Sequence, residues 1–114
     1  MGNKKTTDIE AYSLIIKDRY YDNLEQIVDY IAFVQKQPLN ALKVSDGISN
    51  AMSKIIDNPL IYTECENIPT KTKIFREAGY KSWLIVFKVK NNQVTILAVI
   101  SGKQKPSVFR SVTR

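Results

Sequence analysis

The hydrophobic positions change period as the chain advances. Tyr12-Ser13-Leu14-Ile15-Ile16, within a stretch from Ala11 to Asp18, is dense in β-formers and stops at Lys17-Asp18-Arg19. It predicts a first strand with Leu14 and Ile16 on one face. Leu24, Ile27, Val28, Ile31 and Val34 then recur at steps of three and four, which predicts a helix with one apolar stripe. Asp18 or Asp22 is its expected cap, and Asp22 with Glu25 has the capping-box spacing. From Pro38, which suits a first helical turn, Ala41, Ile48, Met52 and Ile55 describe a second amphipathic helix that Asn58-Pro59 ends. Gly47 lies inside that pattern at a cost of about 1 kcal/mol against alanine, so packing must hold this helix.

Beyond the predicted helical hairpin the period falls to two. Leu60 to Thr70 has no period and contains Pro69, which predicts an irregular crossing with Glu64 and Glu66 solvated and Cys65 inert. Lys71 to Glu77 is expected as a short strand followed by a turn at Ala78-Gly79. Trp83, Ile85, Phe87 and Val89 alternate with Leu84, Val86 and Lys88, a strand apolar on both faces at its start and wetter at its end. Gln93 to Ile100 is the next strand, and Asn91-Asn92 between them tolerates the positive φ of a tight hairpin turn. The tail from Lys103 is basic, with Pro106 expected to break regular structure and Val108 and Phe109 as apolar anchors. The order of strand, two-helix hairpin and three consecutive antiparallel strands predicts an α+β domain over residues 11–114, its sheet covered on one face by the hairpin. Residues 1–10 are expected to be a polar, flexible leader.

Composition narrows the chemistry. The 114 residues include 17 Lys+Arg and 11 Asp+Glu, a net charge of +6, with no histidine and one cysteine. A disulfide scaffold and a structural zinc site are excluded, and so is catalysis by Ser-His-Asp or Cys-His; no metal or cofactor is expected. No run of 18 apolar residues predicts a membrane span, and the default compartment is the cytoplasm. Met1-Gly2-Asn3-Lys4-Lys5-Thr6 fits the loose N-myristoylation pattern, but so few positions are constrained that a frayed leader is the simpler reading.

The cations are uneven. Lys71 and Lys73, two apart, are expected on one side of a strand, with Arg76 and Lys81 about the Gly79 turn. Lys103, Lys105, Arg110 and Arg114 follow the last strand. Because consecutive antiparallel strands return the end of one to the start of the other, Lys81 and Lys103 are expected to meet, and the two groups to form one concave basic face suited to a polyanion. Tyr80, Trp83 and Phe109 are candidates for stacking on bases if exposed.

Taken in order, the strand to Asp18, Asn23-Leu24-Glu25-Gln26-Ile27-Val28-Asp29-Tyr30-Ile31-Ala32, Pro38 with Ala41, Pro59, Arg76-Glu77-Ala78-Gly79-Tyr80-Lys81 and Val94-Thr95-Ile96-Leu97-Ala98-Val99-Ile100 resemble the RelE/ParE superfamily of toxins from bacterial type II toxin-antitoxin systems. The resemblance implies a toxin silenced by a cognate antitoxin, acting on DNA gyrase or cutting messenger RNA on the ribosome, with an inactive basic domain that only binds a partner or RNA as a further alternative. For the nuclease branch it implies Lys71, Lys73, Lys81 and Lys103 as catalytic candidates, crowded lysines serving as base and as phosphorane stabilisers. In that branch's pattern Lys81 replaces an arginine, Gln104 stands near a second arginine, and Phe109 stands near a tyrosine it cannot replace as a proton donor. The long hairpin, from about Arg19 to Asp57, is more similar to the ParE branch, with Arg76, Lys105, Phe109 and Arg110 as expected target-binding residues.

Overall fold

The computed structural model describes residues 12–113, and the leader with its myristoylation pattern lies outside them, as does Arg114. Strand β1 (Ser13–Ile16) leads into helix α1 (Asp18–Asp29), which continues as a π-helical turn over Tyr30–Val34. Helix α2 (Pro38–Ile55) and a 3₁₀ turn (Pro59–Ile61) follow. Then come β2 (Phe75–Tyr80), β3 (Trp83–Lys90), β4 (Gln93–Ser101) and helix α3 (Pro106–Ser111). The sheet order is β1-β4-β3-β2; β2, β3 and β4 are antiparallel neighbours, and β1 joins β4 in parallel from Ser13↔Gln93 to Ile16↔Ile96. Strand, helical hairpin and three antiparallel strands are thus the architecture that the periodicities predict.

Both sheet faces are buried, where only one was expected to be covered. On the first face Ile85, Phe87, Val94, Ile96 and Val99 pack against Tyr20, Ile31, Ala41, Val44, Ile48 and Ile55 of the helices. On the second face Val86, Leu97, Ala98 and Ile100 pack against Cys65 and Ile68 of the crossing segment and Phe109 and Val112 at the C-terminus. A β-bulge makes this sharing possible. Phe87 pairs with Ile96 and Val86 with Ala98, so Leu97 is an extra residue in β4, which puts Leu97 and Ala98 on the same face. Pairing with β1 ends at Ile16↔Ile96, where the bulge begins.

Several local expectations are corrected. Lys17, with extended backbone, holds the N-cap position without a side-chain bond, so Asp18 and Asp22 lie inside α1 and no capping box forms. The π turn, marked by the Gln35 N–H bonding to the Tyr30 carbonyl, widens the helix and rotates Val34 off the predicted stripe, leaving it 65% exposed while Ile31 stays buried. Strand β2 begins only at Phe75 and runs through Gly79, which pairs with Leu84; the turn falls at Lys81-Ser82. Pro106 opens α3 at its first turn rather than breaking structure, because the missing N–H has no helical partner to lose there. The crossing segment is not a loose loop. The backbone of Glu64 forms an antiparallel β-bridge with that of Arg76, the Cys65 N–H bonds to Phe75 O and the Glu77 N–H to Thr63 O, so this segment covers the outer edge of β2.

Candidate functional site

The basic residues do not converge. Lys71 and Lys73 precede β2, in a turn held by the Thr70 hydroxyl, which accepts the Ile74 N–H, and by the Glu64 carboxylate, which accepts the Thr70 N–H. Lys73 adopts φ 55° there, so the shared strand face expected for the two lysines does not exist. The Ile74 carbonyl accepts the Val89 N–H, which sets this turn beside the tip of the β3–β4 hairpin. Lys81 occupies the turn at the other end of β2, so the length of a six-residue strand, about 20 Å, separates the two pairs. Lys81 does meet the neighbourhood of Lys103, because the Gly102 N–H donates to the Ser82 carbonyl at 2.8 Å and locks the two turns together. One concave basic face is replaced by two basic ends.

At the Lys81–Lys103 end a cleft of about 640 Å³ opens between the helices and the sheet. Its walls are amide and hydroxyl groups, among them Gln26, Gln35, Ser82 and Gln104, with Tyr30 and Trp83 as aromatic sides and Val99 and Ile100 as floor. Asn23 builds one corner: its Oδ1 accepts the Val99 N–H at 3.2 Å, a donor left free where β1 stops short. Lys103 and Lys105 are exposed on either side of Gln104, and Arg110 is exposed on α3. Around the π turn the surface is apolar, with Phe33 74% and Leu39 75% exposed.

Two expected contact residues have other work. Arg76 is half-buried, and its Nη1 donates to the carbonyls of Tyr62 at 2.6 Å and Leu60 at 3.4 Å, clamping the 3₁₀ turn to β2. Phe109 is 0% exposed at the centre of the second core, so its ring anchors α3 and cannot stack on a ligand. Arg19 completes that anchorage, its Nη1 donating to the Ser111 carbonyl at the end of α3. Cys65 is fully buried, and burial pushes its thiol up to about 11, which removes the thiolate from use. Lys88 and Lys90 escaped the sequence reading as the wet end of a strand, although their spacing of two already put both on one face.

A profile of the family described as "ParE toxin of type II toxin-antitoxin system, parDE" matches residues 14–106. The chain belongs to this toxin family. Among solved structures it is similar to a chain of the chromosomal ParDE toxin-antitoxin system of P. aeruginosa, with TM-score 0.63 and 19% identity over 81% of this chain and 97% of that one. It is also similar to the RelBE2 toxin-antitoxin complex of Mycobacterium tuberculosis (TM-score 0.51, 13% identity, 80% and 91% covered). YafQ of E. coli strain BL21(DE3) is similar as well (0.50, 13%, 86% and 98%). No curated protein sequence matched. At these identities the structural likeness concerns the fold, and it spans both ParE and RelE kinds. Among the described residues no helix is long and apolar enough to cross a membrane.

Proposed function

We propose that this toxin stops growth by binding a large target of the replication machinery, DNA gyrase, and not by cutting messenger RNA. The observation that carries the reading is the separation of Lys71 and Lys73 from Lys81 and Lys103 along the whole of β2. Phosphodiester cleavage needs a base, an acid and charge stabilisers within hydrogen-bonding reach of one phosphate. Four lysines divided between the two ends of a strand do not supply that, and the buried Phe109 ring supplies no proton. The cleft, with Gln104 on its wall between the exposed Lys103 and Lys105 and with Tyr30 and Ile31 joining it to the apolar π-turn surface, instead suits a protein surface. A cognate antitoxin with an acidic toxin-binding segment, folding as it binds, would cover the same region and silence the toxin in this reading.

The test is a supercoiling assay with purified gyrase beside primer-extension maps of messages after induction in cells. The reading expects supercoiling to fall with added toxin and no new cuts within codons. Unimpaired supercoiling together with codon-phased cuts would overturn it in favour of the nuclease.

A further inference from the structure

The strand register assembles a polar array on the second sheet face at the β3–β4 tip, a region the gyrase reading does not use. Lys90 of β3 pairs with Gln93 of β4, and Gln93 with Ser13 of β1. One step along, Lys88 pairs with Thr95. Alternation puts all five on the face opposite Phe87, Val94 and Ile96, and directly paired residues hold their Cβ atoms about 5 Å apart. Together with Asn91 they line a concavity of about 200 Å³ that contains no carboxylate. Thr95, 4% exposed, is the one polar residue buried among the described positions. The turn carrying Lys71 and Lys73 stands beside it, fixed through the bond from Val89 to Ile74.

We propose that this concavity binds a phosphoryl group of a nucleic-acid backbone. Lys88 and Lys90 supply two ammonium groups on one side, and Ser13, Thr95 and Gln93 supply neutral donors from neighbouring strands. These are groups that satisfy phosphate oxygens without reading bases. Lys73 precedes Ile74, whose carbonyl accepts the N–H of Val89 between Lys88 and Lys90, so the turn carrying Lys71 and Lys73 stands at the rim to take adjoining phosphates along the strand. The lining holds no aromatic side chain on which a base could stack, so contact is to the backbone and independent of sequence.

Fluorescence anisotropy of a labelled 20-base-pair duplex and of one of its strands, between 50 and 200 mM salt, tests this with the full-length toxin. Lys88→Gln/Lys90→Gln is expected to weaken binding about tenfold at low salt and to flatten the log–log salt slope by roughly 1.8, at 0.9 for each lost lysine contact. Lys88→Arg/Lys90→Arg, which keeps the charge, should bind like the parent, and thermal unfolding confirms that each variant is folded. Equal weakening by Lys43→Gln/Lys54→Gln on α2 would overturn the site as mere net charge. Loss only with Lys81→Gln/Lys103→Gln would place binding at the other end and overturn it too. In a second arm, inorganic phosphate alone is titrated by amide NMR. Shifts at Lys88 and Thr95 without binding of either oligonucleotide would overturn the polymer assignment and leave a free-anion site. The supercoiling assay is separate, so failure here leaves the gyrase reading standing, and the reverse also holds.

Discussion

The Tyr80 ring lies directly over Gly47: a Cβ on that glycine would overlap the ring at Cζ, Oη and Cε1. This contact seats α2 on β2 and explains a glycine at a helical position where propensity disfavours it by about 1 kcal/mol. Tyr80 pairs with Trp83 across the β2–β3 turn, and the Lys81 ammonium stands 5.7 Å from its ring centroid. The position of one basic turn is therefore tied to a missing methyl group on a helix.

Gly47→Ala should lower stability by about 2 kcal/mol, since the overlap outweighs the helical gain. In a Tyr80→Ala background the same substitution should instead raise stability by about 1 kcal/mol. Urea denaturation of the four proteins of that double-mutant cycle measures both signs, and a destabilising effect in both backgrounds contradicts the contact.

Asn23→Ala should cost about 1 to 3 kcal/mol and speed exchange of the Val99 amide, because a part-buried donor loses its acceptor. Asn23→Asp keeps an acceptor at that place and should restore most of the protection. Hydrogen exchange followed by NMR separates the two variants.

Arg76→Met keeps the apolar stem but removes the bonds to Tyr62 and Leu60. A loss of about 1.5 to 3 kcal/mol is expected from thermal unfolding. Activity per folded molecule should be unchanged, whereas a target-contacting arginine would lose activity with stability intact.

The buried thiol gives a pH signature. Cys65 has its pKa raised from 9.0 to about 11 in the folded chain, so between these values the unfolded state holds fewer protons and stability falls as pH rises. The contribution is complete below pH 9, and about 2 to 3 kcal/mol is lost by pH 11. Cys65→Ala should remove this component of the alkaline slope in denaturant titrations. Native protein at pH 8 should also resist a thiol reagent that reacts at once in guanidinium.

How much could be seen in advance depended on how local the cause was. Alternation from Trp83 to Val89 and the Asn91-Asn92 pair, at φ 54° and 60°, need only neighbouring residues, and the hairpin was legible from them. The Leu97 bulge and the π turn are different. Each shifts a side-chain phase by one residue because of what packs across from it, and neither carries a sequence mark of its own. Helix α3 is hidden in the sequence because a proline such as Pro106 fits a first helical turn as readily as it breaks a helix. The basic face depends on where β2 begins: a start at Lys71 makes two lysines neighbours on one face, and the actual start at Phe75 makes them occupants of a preceding turn. Val44, buried in α2, stands three after Ala41 and four before Ile48, so that position was readable from spacing alone.

The parallel pairing of Leu14 with Val94 joins residues eighty positions apart. During synthesis, the segment that becomes β1 leaves the ribosome long before its partner exists. A polypeptide interrupted ahead of Gln93 lacks the strand on which β1 docks, the bulge and the Val99 amide that Asn23 holds. Closing so distant a contact is also slow. The sheet is therefore completed only once β4 has been made, and a cell that aborts the message before that point is left with fragments that have no completed sheet.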